Sequence, residues 1–110
     1  MSDAAATSAF PIALAAFSSR IAASGIGIYG VAYDFLHFGS WTIEVGRRHD
    51  RLLIQWGGKE SLLTLSTGEM VDSSSPRDWK MLKELSVGGE ITEQRVLDLA
   101  ADLVLQYAGA

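Results

Sequence analysis

Between Trp41 and Leu65 apolar and polar residues alternate almost one for one. Thr42 and Glu44 separate Trp41, Ile43 and Val45; Leu53 and Gln55 separate Leu52, Ile54 and Trp56; Leu63 and Leu65 stand opposite Leu62 and Thr64. Successive side chains point to opposite faces of a strand, so a period of two marks half-buried strands. The polar stretch 46–50 and the turn Gly57-Gly58-Lys59-Glu60 divide the region into three of them. Upstream, 26–35 is rich in β-branched and aromatic residues and predicts a further strand. Tyr29, Val31, Tyr33 and Phe35 fall on one face, and Ile28, Gly30, Ala32 and Asp34 on the other. Gly27 and Gly30 mark a weak point or a bulge in it. Connections this short join only antiparallel neighbours, so the four strands form a meander.

At both ends of the chain the period lengthens to that of a helix. Phe10, Leu14, Phe17 and Ile21 make one stripe, with Ser8 placed to cap it, Pro11 in the first turn and Ser24-Gly25 as the stop. Residues 1–7 are small and polar and read as a disordered end. Further on, Ser75-Pro76-Arg77-Asp78 has the form of a helix start, with Trp79, Leu82 and Leu85 facing inward and Gly88-Gly89 closing the segment. Thr92 caps a last helix, with Glu93 at its positive end and a stripe of Val96, Leu99, Ala100, Leu103 and Tyr107. The expected fold is therefore α+β, a single domain over 1–110. It comprises an N-terminal helix, a four-stranded antiparallel meander and two C-terminal helices packed on one face of the sheet.

Composition narrows the setting. The 110 residues include no cysteine, which removes disulfides and thiolate metal sites and favours a reducing, cytoplasmic location. The net charge of −4 argues against broad contact with a phosphate backbone, so nucleic acid is not an expected partner. No stretch approaches the roughly 18 apolar residues of a membrane span. The apolar run 10–17 is preceded by Asp3 and by no Lys or Arg, the wrong charge for a secretion signal.

Candidate chemistry is sparse. Gly25-Ile26-Gly27-Ile28-Tyr29-Gly30 has the outline of a dinucleotide-binding turn, but a predicted helix precedes it and a predicted strand follows, the reverse of the required context. His37, with Asp34 three residues before it and Trp41 four after, is a candidate ligand-binding group in a pocket between the sheet and the first helix. No third group completes a catalytic set, so no catalytic residue, metal ligand or cofactor is assigned. Arg47, Arg48 and Arg51 form the densest positive patch, a hairpin tip able to contact an anion or nucleic acid.

The most informative pattern is an excess of apolar surface. On the last helix Leu97 and Val104 flank the core stripe and Leu105 continues round. On the sheet Leu53 faces away from the predicted helices, and the first strand is apolar on both sides. Tyr29, Tyr33, Leu53, Leu97, Val104 and Leu105 are therefore candidate contact residues, since contiguous exposed apolar patches mark interaction surfaces. The expected role is a non-enzymatic protein-interaction module of adaptor, chaperone-like or inhibitor-like type. It self-associates, as a dimer, or binds a protein partner. The alternatives are a small-ligand-binding domain or small enzyme using Asp34, His37 and Trp41, and a nucleic-acid contact through the arginine hairpin.

Overall fold

The strictly alternating segments become the centre of the sheet. A computed structural model describes residues 9–34, 39–47, 50–69 and 79–108. In chain order the elements are helix α1 (Ala9–Ala22), strands β1 (Gly27–Asp34), β2 (Ser40–Gly46), β3 (Asp50–Gly57), β4 (Leu62–Glu69) and β5 (Lys80–Ser86), and helix α2 (Glu93–Ala108). The strands form one five-stranded antiparallel sheet in the order β1-β2-β3-β4-β5. The fold class is thus α+β as expected, with one strand more and one helix fewer among the described residues.

Register explains which residues enter the core. Trp41 pairs with Trp56, Ile43 with Ile54 and Val45 with Leu52, and β4 adds Leu63 and Leu65 beside Trp56 and Ile54. These side chains are buried beneath the helices in a single core with Phe10, Phe17 and Ile21 of α1 and Val96, Leu97, Ala100 and Val104 of α2. Between them Thr42, Glu44, Leu53, Gln55, Thr64 and Ser66 point to the opposite face, over which no described helix packs.

Helix ends follow from local chemistry. The Ile26 N–H donates to the Ile21 carbonyl and the Gly25 N–H to that of Ala22, with Gly25 at φ 76°. This is the Schellman arrangement, and Ile21 and Ile26 are both buried where it closes. Thr92 caps α2, its Oγ1 accepting from the Arg95 N–H at 3.1 Å.

Two expectations need correction. First, the segment read as a penultimate helix contains β5; its supposed start, 75–78, lies outside the described residues. Trp79, Leu82 and Leu85 have helical spacing, and Lys80-Met81-Leu82-Lys83-Glu84 are good helix formers. The open edge of β4 overrides that preference, because its backbone groups take hydrogen-bonding partners from Lys80–Ser86. Second, a register shift between Ile28 and Gly30 makes Tyr29 a bulge. Ile28, Val31 and Tyr33 then share the helix-bearing face, opposite Val45, Ile43 and Trp41. Tyr29 lies on the other face, over the Arg51 guanidinium.

Candidate functional site

The arginines of the β2–β3 hairpin are held by the fold itself. Arg47 donates to the Ala108 carbonyl in the last turn of α2 and, at 2.9 Å, to the Ser24 carbonyl just beyond α1. It thereby neutralises the negative ends of both helix dipoles. Arg51 is buried; its Nε lies 3.3 Å from Glu44 Oε2, its Nη1 donates to the Arg47 carbonyl, and Tyr29 lies 3.5 Å over its guanidinium carbon. Arg48 and His49 are outside the described residues. The predicted anion-contact set is thus split, with two of its members engaged inside the protein.

Asp34 and Trp41 both line one concavity, although their side chains lie on different faces of the sheet. Trp41 is buried on the helix-bearing face, 6.2 Å from the Phe10 ring between centroids, whereas Asp34 pairs with Ser40 on the opposite face. His37 lies outside the described residues. That concavity is lined mostly by residues of the helix-free face, with Tyr33, Trp41 and Trp56 also contributing, and no residue of α1 lines it. Its volume is about 450 Å³, and Ala32, Asp34, Thr42, Gln55, Glu60 and Thr64 are among the residues lining it. A smaller hollow of about 200 Å³ adjoins it at Gly30, Ala32, Glu44 and Leu53. Of the small residues of β1, Ala32 lines both hollows and Gly30 the smaller one.

The six candidate contact residues fare differently. Leu97 and Val104 are fully buried in the single chain and offer no surface. The wide apolar arc of α2 is accounted for because that helix packs against both the sheet and α1, so two neighbours share the arc. Leu53 and Leu105 are half-buried, and Tyr29 is exposed while covering Arg51. Tyr33 stacks on Phe10 at 4.2 Å and donates to Glu93 Oε1 at 2.8 Å. Burial, and then the bond to the Glu93 carboxylate and its negative charge, push the Tyr33 phenol up to about 12.

Four exposed apolar residues lie on the sheet edges, Tyr29 and Val31 on β1 and Met81 and Leu82 on β5, while Ile12 of α1, Ile91, and Tyr107 of α2 are exposed elsewhere. The edges differ in charge. β5 carries Lys80, Lys83 and Glu84, whereas Gly27-Ile28-Tyr29-Gly30-Val31-Ala32-Tyr33 has no charged residue. The sequence offered that signal, an uncharged β-branched and aromatic run, but it becomes meaningful only once β1 is known to be an edge. No family model, curated protein or solved structure matches this chain.

Proposed function

We propose that this chain is a non-enzymatic protein-interaction module, acting in the cytoplasm, that engages its partner with the helix-free side of its sheet. The observation that carries the reading is the one-sided build: both helices lie on one face, and the other face presents a dished surface running out to the β1 edge. Leu53, the alanine and glycines of β1 and the threonines of β2 and β4 give that face a mixed texture. Half-polar surfaces of this kind are common in contacts that form and release. Arg47 and the Tyr33–Glu93 pair hold helices to strands and Arg51 is engaged within the sheet, which supports a binding role over a catalytic one for the rest of the surface.

A photoreactive side chain at Gln55, in the dish, tests this in the native cell. Gln106, exposed on α2, is the control position. The expected result is a discrete protein adduct from position 55 that is absent from position 106 and suppressed by Leu53→Asp. Equal labelling at the two positions, or no protein adduct at Gln55, would remove the basis for this reading.

A second reading rests on the dish alone. Its volume falls within the range of small-molecule sites, and Asp34, Glu60, Thr42 and Gln55 supply polar groups suited to a small cationic or hydroxylated ligand. Amide shifts confined to Thr42, Gln55 and Thr64 on titration with such a compound would favour it over the first.

A further inference from the structure

An open antiparallel sheet has two edges, and among the described residues only β5 is lined with charge. Natural proteins protect edge strands with lysines and other charges, since a bare edge offers a row of unpaired backbone groups to another strand. Both edge strands carry a bulge in their pairing, so the contrast between them is one of charge, and β5 follows the charged pattern with Lys80, Lys83 and Glu84. β1 does not. Among the described residues its sole sheet neighbour is β2, and no charge appears along it before Asp34. Val31 sharpens the contrast. It shares the helix-bearing face with its cross-strand partner Ile43, which is wholly buried, yet Val31 is 43% exposed. The helical layer therefore stops short of the β1 rim and leaves an apolar step there.

We infer that β1 pairs antiparallel with β1 of a second copy, joining two sheets into one; this deepens the reading of the chain as an interaction module and rests on it. Two features select a second copy over a different protein. An antiparallel strand pair made of identical strands is related by a two-fold axis, so one copy of the edge is complementary to another without further adaptation. Each copy also carries a net charge of −4, and β1 is the edge where two such copies meet through an uncharged segment. A basic or acidic partner would find no matching charge along it.

The bulge at Tyr29 fixes where the axis lies. Beyond it, Gly30 to Asp34 continue in unbroken register with β2, so the axis passes at Ala32. Val31 then faces the partner's Tyr33 on the helix-bearing side, closing over the apolar step. Gly30 faces the partner's Asp34, which holds the two carboxylates at opposite ends of the pairing.

Light scattering of the purified full chain across micromolar concentrations is the first measurement. The mass rises from the 11.8 kDa of one chain to twice that value, and amide exchange across Gly30–Asp34 slows in step with it. Val31→Lys weakens the dimer about a hundredfold, because symmetry brings the substitution into the interface twice. Met81→Lys on the other edge leaves dimerisation unchanged. Should circular dichroism show that the Val31 variant does not fold, Ala32→Lys, which sets two ammonium groups against each other on the axis, takes its place. A chain that stays monomeric to high micromolar concentration overturns the pairing, though adducts formed from Gln55 with another protein would still stand. A dimer that survives the β1 substitutions, or is lost with Met81→Lys, overturns it as well.

Discussion

At the scale of single residues the side chains that look most like functional groups are engaged in holding the fold together. Arg47 ties the C-terminal ends of both helices to the β2–β3 hairpin, and Arg51 lies buried between Glu44 and Tyr29. Tyr33 gives this level a direct test. Its phenol titrates near 12, above the ordinary 10.0, so the folded state holds that proton more tightly than the unfolded chain does. The stabilisation this represents is complete below pH 10 and is lost as pH rises from there towards 12. Tyrosinate absorbance during an alkaline titration is expected to show one phenol ionising in step with unfolding. Glu93→Gln removes the negative neighbour and moves that ionisation down towards 10, leaving only the part due to burial. A titration unchanged by the substitution would mean that Glu93 has no hold on Tyr33. The sequence could not reveal this pairing, because the two residues lie sixty positions apart and neither belongs to a recognisable spacing. The same holds for Arg47. Three arginines at a turn read as an anion grip until the carbonyls of Ser24 and Ala108 are seen beside one of them.

Elements were legible where local preference and tertiary setting agree. Gly25 and Gly46 show how closely backbone geometry constrains those elements. At Gly25 an added methyl would meet nothing within 4 Å, so Gly25→Ala costs only the strain of a left-handed backbone (φ 76°), about 1 kcal/mol. At Gly46 the methyl would fall 2.1 Å from the Asp50 carbonyl, inside the hairpin that carries Arg47 and Arg51. Gly46→Ala is expected to cost more, roughly 2–4 kcal/mol, with loss of hairpin pairing. Urea midpoints read at constant m-value give the ranking, and equal losses at the two sites would contradict it. The helix stop at Ser24-Gly25, the cap at Thr92 and the alternation of β2, β3 and β4 were all visible in the sequence, since each depends on neighbours along the chain. β5 was hidden for the opposite reason. Its residues favour a helix, and the backbone groups that draw them into a strand belong to β4. The bulge at Tyr29 was foreshadowed by the glycines around it. Its consequence, sending Tyr29 to one face and Ile28, Val31 and Tyr33 to the other, needed the register with β2. Leu97 and Val104 mark a further limit, because a helical wheel gives the width of an apolar arc and not the number of neighbours that share it.

For the whole molecule the proposed pairing has to bring two acidic bodies together. A chain of net charge −4 repels its copy, and that repulsion acts over roughly 10 Å at 0.1 M salt. Contacts built on ion pairs weaken as salt is added. A contact through the uncharged β1 edge responds in the reverse sense, because salt screens the repulsion between the bodies and leaves the strand hydrogen bonds and the Val31 step untouched. Sedimentation equilibrium of the β1-paired dimer is therefore expected to show the dissociation constant falling a few-fold between low and moderate ionic strength. The arginine hairpin predicts the contrary trend. If Arg47, Arg48 and Arg51 gripped the carboxylates of a second copy, the same increase in salt would drive the dimer apart. The sign of the salt response thus separates an edge joined through its backbone from one joined through its charges, and a dimer that loosens with salt would exclude β1 as the seam.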